Sequence, residues 1–133
     1  MEIGSVRIHW KRILLAAILS ELLIYVIYCL AILYARSLLR PIAFLDFFGL
    51  MFIGGLCVAH RINSYFVLHG ALVGVAAIIL YIIFYIPWIV AGIVPYDYGL
   101  GAYESFIVQA LGSTLGGFVG GRLKNRRTWK PRR

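Results

Sequence analysis

Three long apolar stretches constrain this chain more than any other feature of its sequence. Each runs for about 20 residues with at most one or two ionisable groups, enough helix to cross about 30 Å of hydrocarbon. A fourth stretch is shorter and rich in glycine. Hydrophobic residues make up 62% of the chain and charged residues only 14%, against about one-quarter charged in soluble domains. The sequence therefore excludes a soluble globule, and its length leaves no room for a separate catalytic domain.

The apolar pattern predicts an all-α polytopic membrane protein with four transmembrane helices arranged as two hairpins. The predicted spans cover about residues 13–34, 42–59, 65–86 and 102–123. They form one transmembrane domain, 1–123, followed by a basic tail, 124–133. Pro41 suits the first turn of the second helix, and Pro87 is expected to end or kink the third. The segment after Pro87 carries another proline and three glycines, which predicts an interfacial or shallow re-entrant loop.

Positive charge is distributed unequally between the two sides of this predicted bundle. Eleven of the 13 lysines and arginines fall on the side that holds both termini, and two, Arg36 and Arg40, fall on the other. Because positive charge favours the cytoplasmic side, we expect both termini to be cytoplasmic. The expected location is the inner or plasma membrane of a prokaryotic cell, and aromatic residues gathered at the outer ends of the spans agree with this topology.

Small residues recur at helical spacing on three of the spans. They are Gly55 and Ala59 on the second, Gly70 and Gly74 on the third, and Gly112, Gly116, Gly117, Gly120 and Gly121 on the fourth. Such ridges let helix backbones approach closely in lipid. One interpretation is that they hold the helices of one chain together. The fourth span has two ridges on neighbouring faces, which favours a second partner, either another subunit or another copy.

Glu21 is the only ionisable residue well inside the first span, about eight residues and hence roughly 12 Å from its inner end. A carboxylate at that depth costs a few kcal/mol or more unless it is protonated or paired. One hypothesis is a proton or ion site, with His69 as the expected titrating neighbour. The other is a neutral acid that forms a hydrogen bond with Tyr25, Gln109 or Ser113.

The other ionisable residues predict no reactive group. Three acids are expected near the outer surface, away from Glu21: Asp46, Asp97 and Glu104. Three histidines map to the cytoplasmic interface without the spacing of metal or haem ligands: His9, His60 and His69. No metal or other cofactor is predicted. Because no nucleophile, base and acid fall at a common depth, the chain is predicted not to be an enzyme.

The tail is a juxtamembrane polybasic segment that is expected to fray near Asn125. Five residues are predicted to meet anionic lipid headgroups: Lys124, Arg126, Arg127, Trp129 and Lys130. Each cation near such a surface contributes about 1 kcal/mol. An acidic protein partner is the alternative, and nucleic acid is not a predicted partner because one tryptophan without a fold around it is poor support.

Two segments carry a resemblance to other proteins: GGLCVAHRINSYFVLHGALVG, from Gly54 to Gly74, and LGGFVGGRLKNRR, from Leu115 to Arg127. With their Gly-Gly pairs and Gly-x-x-x-Gly helices they resemble small four-helix integral membrane proteins of bacteria and archaea whose function is unknown. The resemblance implies a four-helix topology and carries no activity, cofactor or site.

These observations predict a non-enzymatic membrane protein. The expected role is that of an accessory or assembly subunit of a larger membrane complex, or of a homo-oligomer, that packs through its small-residue helix faces. The alternative is a small proton- or ion-coupled transporter or channel that uses Glu21.

Overall fold

Four helices make up most of the described chain. The structure is a computed structural model that describes residues 2–3, 6–92 and 102–128, with the backbone alone for 2–3, 6–7, 36, 88–89, 102 and 126–128. The helices are α1 (Trp10–Tyr34), α2 (Leu39–His60), α3 (Phe66–Val90) and α4 (Ala102–Thr128). Before α1, the two-residue strands β1 (Glu2–Ile3) and β2 (Val6–Arg7) pair antiparallel. A 3₁₀ turn at Arg36–Leu38 leads into α2.

Three of the helices, α1, α2 and α3, are long and apolar enough to cross a membrane. This indicates a membrane protein and confirms the prediction of an all-α chain with apolar spanning helices. The helix α4 has 27 residues but is not one of these three. It is less apolar because Gln109, Ser113, Thr114 and five glycines occupy positions where the other helices carry large aliphatic side chains.

Several helix ends differ from the predicted spans. The helix α2 begins at Leu39, ahead of Pro41. The helix α3 continues through Pro87, because a proline removes only one N–H and the amide of Ala91 still donates to the Pro87 carbonyl at 2.9 Å. The helix α4 continues past Asn125, since basic residues are good helix formers and suit a helix C-terminus. The loop predicted after Pro87 lies mostly outside the described residues.

Helix α4 lies between α2 and α3, and its packing against α2 is the most extensive in the bundle. Gly112 meets α2 at Phe48 and Gly120 meets it at Ala59, so α2 and α4 run parallel. The helix α1 runs antiparallel to α2, because Arg12 reaches the carbonyl of Arg61 while Ser20 reaches that of Leu50. The bundle therefore has two distinct ends.

We call these the basic end and the far end. At the basic end α1 and α3 begin and α2 and α4 finish, and five of the side chains that the structure describes there are cationic: Lys11, Arg12, Arg61, Arg122 and Lys124. At the far end α2 and α4 begin. There Arg40 and Glu104 form an exposed ion pair, with 3.6 Å between the guanidinium nitrogen and the carboxylate oxygen.

The bundle buries small, polar and some large apolar residues, and many other large apolar residues are exposed on its surface. The buried stripe of α1 recurs every three or four residues, as expected for one helix face: Ile13, Ala17, Ser20, Ile24, Tyr28 and Ala31. The exposed faces of α1 carry large aliphatic side chains such as Leu14, Leu15 and Ile18. Lipid acyl chains are a suitable environment for these faces. The polar side chains buried in the interior define the candidate site: Ser20, Asp46, His69, Ser105, Gln109 and Ser113.

Candidate functional site

One small-residue ridge of α4, formed by Gly112, Gly116 and Gly120, lies against α2. A Cβ added to Gly116 would lie 2.8 Å from the carbonyl carbon of Phe52. A Cβ added to Gly120 would lie 2.8 Å from the Cβ of Ala59. Because these distances are shorter than a carbon–carbon contact allows, only glycine permits this approach of the two backbones.

The second ridge of α4, formed by Gly117 and Gly121, lies against α3. A Cβ on Gly117 would lie 2.9 Å from the Cα of Gly70, and one on Gly121 would lie 2.6 Å from the ring of Phe66. Gly74, also on α3, lies against α4 as well. The second partner that the two ridges of the fourth helix suggested is therefore α3 of the same chain, so the ridges by themselves do not require another subunit.

Gly55 lies where α2 comes closest to the second ridge of α4. A Cβ on Gly55 would lie 2.9 Å from the carbonyl carbon of Ser113 and 3.1 Å from the amide nitrogen of Gly117. All the residues predicted to pack helices thus lie at contacts between helices of one chain. This tight packing fixes the positions of the polar side chains that α4 carries further toward the far end.

Glu21 on α1 and Asp46 on α2 carry the interior carboxyl groups of the described residues. Oε1 of Glu21 is buried and has no hydrogen-bond partner among the described residues. Asp46 is 7% exposed, and neither of its carboxylate oxygens has such a partner. The two carboxyl groups interact electrostatically. The expectation that Glu21 lacks an acidic neighbour is wrong: α2 begins at Leu39, so Asp46 lies about two turns inside the helix.

A small pocket of about 40 Å³ opens beside Glu21. This is room for one or a few water molecules or a small cation. Besides Glu21, its lining comprises Ile24, Tyr25, Tyr28, Phe47, Tyr81, Tyr85 and Ser105. The rings of Tyr81 and Tyr85 stack with their centroids 4.6 Å apart, and Phe47 approaches Tyr81 edge-on at 6.5 Å. The pocket thus combines a carboxyl group with aromatic rings, whose faces attract cations.

Helix α4 supplies a polar stripe to the interior through Ser105, Gln109 and Ser113, which are spaced four residues apart. All three are at most 2% exposed. Ser105 lines the pocket beside Glu21, and the hydroxyl of Ser113 donates to the carbonyl of Ala110 at 3.1 Å. Neither side-chain polar atom of Gln109 has a partner among the described residues. Because Gly112 lies against Phe48, Gln109 sits at about the level of Asp46.

His69, the other predicted member of the ion site, lies near the basic end. Its Nδ1 is 2.9 Å from the carbonyl oxygen of Tyr65, and since a carbonyl only accepts, Nδ1 donates. Nε2 is buried without a partner among the described residues. The ring centroid lies 5.9 Å from that of His9. His69 does not line the pocket beside Glu21, so the structure does not bring these two predicted residues together there.

Lys124, whose predicted contact with lipid headgroups stays a prediction, binds the loop between α2 and α3. Its ammonium group donates to the carbonyl of Ile62 and, at 2.8 Å, to Oδ1 of Asn63. From α1, the guanidinium of Arg12 donates to the carbonyl of Arg61. The other predicted headgroup contacts rest on side chains outside the described residues: Arg126, Arg127, Trp129 and Lys130.

Asp46 and Gln109 are the interior polar residues that sequence reasoning did not assign to an ion site. The sequence contains a signal that could have identified each of them. Asp46 shares a helix face with Gly54, eight residues later, which marks a packed and not a lipid-facing position. Gln109 belongs to the four-residue repeat that runs on into Gly117 and Gly121. Polar residues in register with a small-residue ridge point into a bundle.

No protein-family model, no curated protein and no solved structure matches this chain. The resemblance to small four-helix membrane proteins stays a prediction, and a function has to be argued from the geometry. Within the described ranges, no three His, Cys, Asp or Glu side chains are grouped so that they could hold a metal ion. Two carboxyl groups in an interior of low polarity suit a proton or a monovalent cation better than a tightly held metal.

Proposed function

We propose that this protein is a non-enzymatic membrane protein that binds a proton or a small monovalent cation within its helix bundle. The observation that carries the proposal is that Glu21 and Asp46 are interior carboxyl groups without described hydrogen-bond partners at three of their oxygens, and that they interact electrostatically. Two such carboxylates repel each other, and one proton or one cation relieves that repulsion. Placing an ionisable group inside a membrane helix costs free energy, so such a group marks an ion or proton pathway by default.

The surroundings of the acid pair support a cationic ligand. The pocket beside Glu21 offers tyrosine and phenylalanine rings and the side chain of Ser105. Gln109 adds an amide, at about the level of Asp46, whose polar atoms have no described partner. A buried polar atom without a hydrogen bond costs about 1–3 kcal/mol. A cation held here would be bound by the amide oxygen of Gln109 and so would offset that atom's share of the cost, because carbonyl and carboxyl oxygens bind cations.

We further propose that α4 also crosses the membrane, giving four spans with both termini in the cytoplasm. Its position between α2 and α3 supports this, since the packed ridges hide its glycines and interior polar residues from lipid. The basic end would then face the cytoplasm and its anionic headgroups. The prokaryotic inner or plasma membrane is the proposed location.

A test of the cation site uses the purified full chain in detergent and in lipid vesicles. Infrared difference spectra on exchange of pH or of sodium, potassium and ammonium report a change at the carboxyl groups. Vesicles with a trapped pH-sensitive dye, or loaded with radioactive sodium or rubidium, report movement across the membrane. Two variants remove the site with little change in shape: Glu21→Gln and Asp46→Asn.

Glu104→Gln is the matched control, because it removes an acid from the exposed ion pair at the far end. We expect the carboxyl signal and the ion flux in the original chain and in Glu104→Gln, and their loss in Glu21→Gln and Asp46→Asn. A carboxyl signal that survives both interior substitutions would contradict the proposal. So would an original chain that shows neither binding nor flux.

The role of accessory subunit or homo-oligomer stays a prediction with its own measurement. Mass determination in mild detergent distinguishes a chain alone from an oligomer or a complex. Leucine at Gly116 disrupts packing inside the bundle, whereas a change at exposed Leu14 alters a surface that meets lipid or a partner. A single mass equal to that of one chain would contradict both the accessory and the oligomeric role.

A further inference from the structure

A second and larger pocket lies at the basic end, between the start of α1 and the loop that joins α2 to α3. Its volume is about 360 Å³. The residues that line it are His9, Arg12, Arg61, Ile62, Asn63 and Ser64. Five of these six side chains are polar or cationic, so the pocket differs in kind from the aromatic one beside Glu21.

The pocket is built from hydrogen-bond donors. Arg12 uses one guanidinium nitrogen for the carbonyl of Arg61, and its planar fork carries four further N–H groups. The side chain of Arg61 adds a second fork. Asn63 accepts from Lys124 through Oδ1 at 2.8 Å, which leaves its NH₂ group to donate. The hydroxyl of Ser64 completes the set.

The charged side chains that line this pocket are positive. The acidic side chains that the structure describes lie elsewhere, with Glu21 and Asp46 inside the bundle and Glu104 at the far end, and none of them lines this pocket. Lys124 adds a third positive charge through its contact with Asn63. A concave surface with two guanidinium groups and no lining acid attracts an anion with several acceptor oxygens.

We propose that this pocket binds a phosphate group, either that of an anionic lipid headgroup or free phosphate. The guanidinium fork matches two phosphate oxygens at once. Hydrogen bonds from Arg12 and Lys124 to loop carbonyls hold the rim in place before the ligand arrives. The pocket also lies at the end of three apolar spans, where lipid phosphates are found. Phosphate binding here does not depend on the proposed cation site, since the two pockets share no lining residue.

The test measures binding to the full chain in an uncharged detergent by isothermal titration calorimetry. The probes are inorganic phosphate and the water-soluble lipid dihexanoyl phosphatidic acid, at fixed salt. The variant is Arg61→Gln. Because Arg12 contacts the main-chain carbonyl of Arg61, this substitution retains their hydrogen bond. The control is Arg122→Gln, which loses the same charge at the same end from a side chain that lies over Phe118, outside the pocket.

We expect saturable binding that Arg61→Gln weakens about tenfold and Arg122→Gln less than twofold. Arg61→Lys keeps the charge but loses the fork, so it should fall between the original chain and Arg61→Gln. Binding of both probes supports a general phosphate site, and binding of the lipid alone supports a headgroup site. Equal losses in Arg61→Gln and Arg122→Gln overturn the proposal, as does the absence of saturable binding to either probe.

Discussion

Gly70 and Gly117 meet backbone to backbone where α3 crosses α4. A Cβ on Gly70 would lie 2.8 Å from the Cα of Gly117, and a Cβ on Gly117 would lie 2.9 Å from the Cα of Gly70. The contact is reciprocal, so neither helix can accept a methyl group without moving the other. Because helices in lipid associate through close packing and not through a hydrophobic force, such contacts determine the stability of the bundle.

Gly117→Ala should therefore lower the free energy of unfolding by about 1–3 kcal/mol, the usual cost of overpacking. Unfolding in mixed detergent micelles, followed by circular dichroism, measures it. Gly49→Ala is the matched control, since a Cβ there meets nothing within 4 Å and alanine is the better helix former. A Gly117→Ala variant that proved as stable as the Gly49→Ala variant would contradict the close packing of α3 against α4.

In a buffer without sodium, potassium or ammonium, Gln109→Leu should raise the free energy of unfolding by about 1–3 kcal/mol, because it removes two buried polar atoms that lack described partners. The same variant should weaken the carboxyl signal of the cation site. Ser113→Ala serves for comparison, as its hydroxyl bonds within its own helix and its loss should change little. A destabilised Gln109→Leu would mean that the amide is satisfied in the folded protein, against the basis of this prediction.

Lys124→Met should loosen the loop between α2 and α3. It removes the hydrogen bonds to the Ile62 carbonyl and to Asn63, each worth about 0.5–1.5 kcal/mol. Hydrogen exchange of the loop amides should become faster while exchange in the middle of α3 stays the same. Arg122→Met should leave the loop unaffected. An unchanged exchange pattern in Lys124→Met would show that this anchor contributes nothing.

A reporter that is active only in the cytoplasm should be active when fused after Arg133 and inactive when inserted at Gly92. The unequal cation distribution and the position of α4 between α2 and α3 give this expectation. Activity at both positions would mean that α4 does not separate them across the membrane. Activity at Gly92 alone would invert the proposed orientation.

The apolar helices could be predicted from the sequence because hydropathy over about 20 residues depends on the chain alone. The helix that packs against each small-residue ridge could not be predicted in this way. Spacing tells where a helix can be approached closely, but not by which helix. For that reason the second ridge, with Gly117 and Gly121, suggested another molecule, although α3 occupies it.

Only one of the two acids of the proposed cation site could be predicted from the sequence. Glu21 stands out because nothing else in its span ionises. Asp46 was expected near the outer surface, but its side chain shares the buried face of Ala43 and Phe47, which depends on how α2 packs. Of the two outcomes expected at Pro87, the end of the helix does not occur there, since one lost N–H is a smaller cost than ending an otherwise apolar helix.

The position of α4 has a consequence for how the chain is assembled. Its glycines and polar residues make it the helix least able to partition into lipid alone, yet its two ridges fit α2 and α3. Those two helices precede it in the chain and are synthesised first. If α4 crosses the membrane as proposed, we expect its insertion to be templated, since it would follow α2 and α3 into a groove that they have already formed.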